Sequence, residues 1–153
     1  MANKTICNYD LLSLHIGSME DEEANYRKIM EEKSIQVPQE NYDVETKLNP
    51  KQKIVFTIII EMINLGRSGI FFIDGSGGTS KTFLYQALLG QVRSKRLITL
   101  ATTTSDIAAV ILFRGWTIHS RFILSLNPND TDFCGFSKQD GTVELLKEAS
   151  LII

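Results

Sequence analysis

The sequence predicts an α/β protein whose short parallel strands are flanked by helices. Two apolar runs, residues 69–74 and 97–101, have the length of buried strands, and each is followed by apolar residues at helical spacing. A third apolar run occupies residues 151–153 and predicts the start of another strand. Because strands that alternate with helices along a chain pair in parallel, we expect one parallel sheet with helices on its faces.

Residues 1–46 read as an acidic, mostly helical or partly disordered leader, and residues 47–153 as the folded domain. Residues 1–47 carry ten acidic and five basic side chains, whereas residues 48–153 carry eight acidic and eleven basic ones. In the leader, residues 8–16 can form a short amphipathic segment, and residues 20–33 predict a solvated helix. The apolar stripe of that helix consists of Tyr26, Ile29 and Met30.

The domain begins with a strong helix signal. Asn49 can cap a helix that has Pro50 at its first position, and Gly66 can end it, so residues 50–65 predict a helix. The remaining predicted elements are a helix over residues 81–95, a helix over residues 106–113 capped by Ser105 and ended by Gly115, a polar loop over residues 127–132, and one or two helical turns over residues 143–149.

The stretch GSGGTSKT, residues 75–82, carries the most specific chemistry. It lies between a predicted strand and a predicted helix, which is the context of a phosphate-binding P-loop. Backbone N–H groups of such a turn bind phosphate oxygens, Lys81 adds positive charge for the outer phosphates, and Thr82 adds a hydroxyl for Mg²⁺. The alternative is a glycine turn with an incidental lysine. The predicted nucleotide-binding residues are Gly75, Ser76, Gly77, Gly78, Thr79, Ser80, Lys81 and Thr82, with Lys81 and Thr82 as the catalytic pair.

Ser80 departs from the P-loop pattern G-x-x-x-x-G-K-[ST], which has glycine at that position. Its Cβ can crowd the phosphate or shift the backbone angles of the loop. Alternatively, its hydroxyl caps the following helix while its N–H still faces the phosphate. We expect weakened nucleotide binding, and we expect glycine at position 80 to raise the affinity.

Composition excludes several classes of protein. Cys7 and Cys134 lie far apart without a second pair, so neither a disulfide framework nor a zinc site is expected. The most apolar run, residues 54–63, is too short for a membrane span and contains Glu61. The first ten residues lack the apolar core of a signal peptide. We therefore expect an intracellular monomer that has no membrane partner.

Five segments taken together point to a family: LNPKQKIVF, FFIDGSGGTSKTFLYQALL, TSDIAA, GWTIHSRF and CGFSKQDGTVELLKEASLII. In this order and spacing they resemble the first RecA-like domain of Pif-type ATP-dependent DNA helicases, in the Helitron-like branch. The resemblance covers residues 8–153. It implies a P-loop NTPase fold, ATP as substrate, Mg²⁺ as cofactor and single-stranded DNA as partner. It also implies ATP-driven DNA unwinding in repair, recombination and telomere maintenance, in the nucleus or alternatively in the mitochondrion.

The resemblance assigns Gln52, in LNPKQ, to the adenine edge, because an amide offers a donor and an acceptor together. Taken alone, Gln52 would be an exposed helix residue. Residues 102–109 match a segment that contacts single-stranded DNA, and Asp106 stands there in place of the family's glycine. A carboxylate repels phosphate, so Asp106 opposes that contact. The hydroxyl donors of this segment are Thr103, Thr104 and Ser105.

A second DNA-contacting element matches Thr117, His119, Ser120 and Arg121. Arg121 is the predicted phosphate partner of this element. A His-Ser pair alone is more often structural, so that alternative stays open. The neighbouring Trp116 is expected to be buried, with stacking on a base as the alternative.

Phosphoryl transfer requires further groups, which the family supplies beyond the segments quoted above. The family's Asp-Glu pair for Mg²⁺, its later glutamine and its second RecA-like domain do not occur before residue 153. We therefore expect an amino-terminal fragment, inactive alone, with a sheet incomplete at its carboxyl edge. Two other classes stay open: a non-catalytic nucleotide- or single-stranded-DNA-binding remnant of a transposon-derived helicase, and a small P-loop kinase. The elements around Gln52 and His119, and the lack of a substrate or lid segment, argue against the kinase.

Overall fold

The computed structural model describes residues 19–38, 44–77, 80–124 and 141–153. The segments predicted at residues 8–16 and 127–132 lie outside these ranges. The elements in chain order are α1 (Met19–Lys33), a 3-10 turn (Glu45–Lys47), α2 (Pro50–Asn64), α3 (Lys81–Ser94), β1 (Ile98–Leu100), β2 (Thr102–Thr103), α4 (Asp106–Ile111), β3 (Trp116–Thr117), α5 (Ile118–Phe122), α6 (Gly141–Glu148) and β4 (Ala149–Ile152).

The strands in the described ranges form two short parallel pairs. β1 pairs with β4, and β2 pairs with β3 in the register Thr102 to Trp116 and Thr103 to Thr117. Ala101 connects the two pairs, because its carbonyl accepts a hydrogen bond from the N–H of Trp116 at 2.9 Å. The extended segment from β1 to β2 therefore pairs first with β4 on one side and then with β3 on the other. The predicted mixed α/β class, with parallel strands and flanking helices, is confirmed.

Local signals at both ends of α2 work as predicted. The Asn49 side chain accepts from the N–H of Gln52 at 2.9 Å, and the Gln52 side chain accepts from the N–H of Asn49 at 3.0 Å. This reciprocal capping box satisfies two N–H groups that the helix start would otherwise leave unpaired. At the other end Gly66 adopts φ +61°, a left-handed conformation that glycine adopts without a Cβ penalty.

The hydrophobic core lies mainly between α2 and α3. Phe56 and Ile59 of α2 pack with Leu84, Leu88 and other residues of α3 in one buried cluster. A second cluster joins Ile98 and Leu100 of β1 to Leu145 of α6, and a third joins Leu89, Ala101 and Leu112. Among the residues with described structure, no helix is both long and apolar enough to cross a bilayer.

The strand predicted over residues 69–74 is wrong. This segment forms no strand, and Ile70 and Phe72 are 101% and 92% exposed rather than buried. A cavity of about 730 Å³ lies between residues 66–73 and β4, with Ile59 and Leu88 among its lining residues. A strand forms only where a neighbouring strand completes its hydrogen bonds. Because the cavity separates this apolar run from β4, the run has no such neighbour there and its backbone is irregular.

Two other predictions need smaller corrections. The helix expected over residues 106–113 ends at Ile111, because Leu112 turns extended (ψ 125°) and buries its side chain in the third cluster. Ser105 precedes this helix but makes no side-chain cap bond. On α1 only Ile29 of the predicted apolar stripe packs against a core cluster, while Tyr26 and Met30 are 64% and 46% exposed.

Candidate nucleotide and nucleic-acid binding sites

The glycine-rich loop leads directly into α3, with Lys81 as the first residue of that 14-residue helix. The Lys81 ammonium turns back into the loop, where its Nζ donates to the carbonyls of Gly75 at 2.5 Å and Ser76 at 3.0 Å. A positive charge therefore lies inside the curve of the loop, beside the first turn of a helix. Both features attract phosphate oxygens.

The start of the loop is shaped by Asp74 and the glycines that follow it. The Gly75 N–H donates to Oδ1 of Asp74 at 2.7 Å. A Cβ built on Gly77 would meet no atom within 4 Å, so there is open space on that side of the loop. Gly78 and Thr79, also predicted to bind nucleotide, lie outside the described residues.

Ser80 has a left-handed backbone with φ 55° and ψ 33°, a conformation that favours glycine. Its side chain makes no cap hydrogen bond, so the alternative in which serine caps α3 is wrong. A left-handed residue turns its side chain away from the geometry that an N-cap requires, because caps have extended backbone angles. The glycine of the P-loop pattern thus matches the backbone that this chain adopts with serine.

Gln52 lies at the third position of α2 and connects that helix to the end of the loop. Its side-chain oxygen serves the capping box with Asn49, and its Nε2 donates to the Ser80 carbonyl at 3.1 Å. An amide side chain that is held at both ends is oriented, which suits the recognition of a base edge. The spacing Asn49-x-x-Gln52 is the sequence signal from which this capping box could have been predicted.

Thr82, the predicted Mg²⁺ ligand, is the second residue of α3 and is half-buried. In the described part of the chain, no group of three or more His, Cys, Asp or Glu residues can hold a metal ion. Next to Lys81, Thr82 offers a hydroxyl oxygen as a ligand. This fits a cation that reaches the site together with phosphate oxygens, as Mg²⁺ does with nucleotides.

The two segments assigned to DNA lie side by side. Pairing of β2 with β3 places Thr103 in register with Thr117. The Thr103 hydroxyl donates to the Ser105 carbonyl at 2.7 Å, and the Thr117 hydroxyl donates to Oγ of Ser120 at 2.9 Å. Thr104 and Ser105 are exposed, and His119 is half-buried on α5. The structure therefore gathers a set of hydroxyl groups from two segments separated in sequence.

Arg121, the predicted phosphate partner, already has an anionic partner. Its Nη2 lies 2.8 Å from Oε1 of Glu32 on α1, and the two side chains are only 13% and 15% exposed. The Arg121 guanidinium also lies 5.7 Å from the centre of the Trp116 ring. Trp116 is 49% exposed, so its expected burial is wrong, because the cation and solvent cover its faces rather than the core. Glu32 could not be predicted as the partner of Arg121, because a contact across 89 residues leaves no local signal in the sequence.

Glu32 also acts electrostatically on the buried Arg93. Burial lowers the pKa of the Arg93 guanidinium, and Arg114 and Arg121 lower it further, while Glu32 opposes them. Arg93 is 4% exposed and donates to the carbonyls of Phe113 at 2.6 Å and Thr99 at 3.5 Å. Glu32 is therefore the carboxylate that offsets a positive cluster formed by Arg93, Arg114 and Arg121.

Comparison with known proteins identifies the family to which the chain belongs. No curated protein matches the chain. The family model described as PIF1-like helicase matches residues 47–153, which is well over half of the sequence. That range contains the glycine-rich loop, Lys81 at the head of α3 and the paired β2 and β3 segments, in a mixed α/β fold consistent with a RecA-like P-loop domain. The chain belongs to the PIF1-like helicase family.

Proposed function

We propose that the chain binds magnesium-ATP at residues 75–82 and single-stranded DNA at the surface of β2, β3 and α5, as the first RecA-like domain of an ATP-dependent DNA helicase. Membership of a helicase family supports nucleotide and nucleic-acid binding in general. The observation that carries the nucleotide site is the Lys81 ammonium, held inside the loop at the start of α3. In this proposal Lys81 binds the outer phosphates and Thr82 holds Mg²⁺.

The proposal extends to the wider role that the sequence suggests. ATP hydrolysis coupled to unwinding would serve repair, recombination and telomere maintenance in the nucleus or the mitochondrion. The five sequence segments quoted above support the Helitron-like branch of the family. Hydrolysis also requires an aligned water and stabilisation of the transferring phosphoryl group.

A titration with a fluorescent ATP analogue and Mg²⁺ tests the nucleotide site. Lys81→Ala should weaken binding about tenfold or more, because a charge-assisted hydrogen bond to phosphate contributes about 1.5–3 kcal/mol. Lys51→Ala removes an exposed lysine from α2 and serves as the matched control. Equal affinities for the two variants would refute the assignment of Lys81.

A second candidate is a non-catalytic nucleotide- or DNA-binding module derived from a helicase. The left-handed serine at position 80 favours it, because a Cβ occupies the point where the P-loop pattern has glycine. ATP turnover with and without single-stranded DNA separates the candidates. Turnover stimulated by DNA supports the enzyme, and binding of both ligands without turnover supports the module.

A further inference from the structure

The acidic helix α1 lies against the surface proposed for DNA. Its sequence, MEDEEANYRKIMEEK, holds six acidic and three basic residues. Glu32 in its last turn reaches Arg121 at 2.8 Å, and Arg121 lies on α5 next to the paired β2 and β3 segments. Among the described residues, this acidic contact is therefore made to the arginine that the sequence assigns to a phosphate.

We propose that Glu32 of α1 occupies the phosphate position at Arg121 and thereby blocks single-stranded DNA from binding to this surface. The inference rests on the proposed DNA-binding function and adds its regulation. A carboxylate and a phosphate both accept hydrogen bonds from a guanidinium, so they compete for the same arginine. DNA binds in full only when α1 withdraws Glu32.

α1 packs against α6 and β1, and its contact with the proposed DNA surface is made from its last turn. Ile29 is the apolar side chain of α1 that packs against a core cluster, whereas Tyr26 and Met30 remain largely exposed. The ion pair from Lys33 to Glu148 of α6 is 3.2 Å long and solvent-exposed, and such pairs contribute less than about 1 kcal/mol. The Glu32–Arg121 pair is the more buried of these two contacts, and it is the one that involves the arginine proposed to bind phosphate.

Trp116 gives the site a built-in reporter. It is the single tryptophan of the chain, it is half-exposed, and it lies 5.7 Å from the Arg121 guanidinium. A nucleic-acid base that stacks on this ring should quench its fluorescence. Quenching therefore measures binding at this place rather than elsewhere on the protein.

The test is a titration of the full chain with a short single-stranded oligonucleotide, followed by Trp116 fluorescence. Glu32→Gln should bind about tenfold more tightly than the wild type, which is a usual size for coupled equilibria. Glu31→Gln removes the same charge from the adjacent, exposed position and should change the affinity little. Adding Arg121→Gln to Glu32→Gln should return the affinity to the wild-type level or below it.

The salt dependence of DNA binding distinguishes competition by Glu32 from a merely structural role of this residue, which would leave the dependence unchanged. If Arg121 gains one phosphate in Glu32→Gln, the slope of log K against log salt should steepen by about 0.7, the value for one contact to single strands. Equal slopes and equal affinities for Glu32→Gln and Glu31→Gln, with DNA still quenching Trp116, would overturn the role of α1 alone. Absence of quenching in the wild type and in every variant would overturn the DNA site as well.

Hydrogen exchange on the wild-type chain provides a test that does not depend on a variant's folding. Bound oligonucleotide should increase amide exchange in α1 and leave the α2–α3 core unchanged. An α1 that stays equally protected while DNA quenches Trp116 would refute displacement of Glu32.

Discussion

At the scale of single residues, Ser80 is the position where sequence and backbone conflict. Its φ of 55° places an L-residue in the left-handed region, at a cost of about 1–2 kcal/mol relative to a right-handed conformation. The surrounding contacts hold it there, because its carbonyl accepts from both Gln52 and Phe83. Arg96, Arg114 and Ile123 share this backbone region, but Ser80 alone among them belongs to the loop that the sequence assigns to phosphate.

Ser80→Gly should tighten binding of the ATP analogue about fivefold, equivalent to about 1 kcal/mol, because the loop can then curve around phosphate without a Cβ. Thermal unfolding should show a small gain in stability, since relief of strain exceeds the entropy that glycine adds to the unfolded chain. Ser68→Gly, at an exposed position outside the loop, is the control for a serine-to-glycine change. Identical titration curves for Ser80→Gly and the wild type would show that Ser80 does not limit the affinity.

At the scale of elements, the start of α2 and the end of the glycine-rich loop share one side chain. Gln52 completes the capping box with Asn49 and also bonds to the Ser80 carbonyl. Correct capping of α2 thus orients the amide that reaches the loop. This element was predictable, because Asn49, Pro50 and Gly66 are local signals that act within one turn of the chain.

Asn49→Ala should lower the free energy of unfolding by about 1 kcal/mol, the usual cost of losing a side-chain cap. Asn49→Asp keeps an acceptor at the same place and should retain most of the stability. Urea denaturation monitored by circular dichroism measures both. The prediction fails if the alanine and aspartate variants unfold at the same urea concentration.

At the scale of the whole molecule, the features that could not be predicted from the sequence are contacts between residues far apart along the chain. The apolar run at residues 69–74 has strand composition, yet no described strand bonds to it and a cavity separates it from β4. Pairing of β2 with β3 and the contact from Glu32 to Arg121 join distant segments and leave no periodic signal. The α3 helix and its core face were predictable from spacing alone, because apolar residues there recur at helical intervals.

Two leucines test whether the core lies where the structure places it. Leu88 is 1% exposed between α2 and α3, whereas Leu65 at the end of α2 is 65% exposed. Leu88→Ala should lower the free energy of unfolding by about 3 kcal/mol, through lost burial and a new cavity. Leu65→Ala should stay within about 0.5 kcal/mol of the wild type. Similar losses in the two variants would contradict this arrangement of helices.

The hydrogen bonds that Lys81 makes to Gly75 and Ser76 have a thermodynamic consequence for any polyanion that binds there. An incoming phosphate does not replace water at the Lys81 ammonium. It replaces the two carbonyl acceptors that the ammonium already has. The net heat of association is then the difference between two sets of bonds of similar strength. Calorimetry should accordingly record a modest binding enthalpy even where the dissociation constant is low. The release of the loop carbonyls to water contributes to the rest of the free energy of binding.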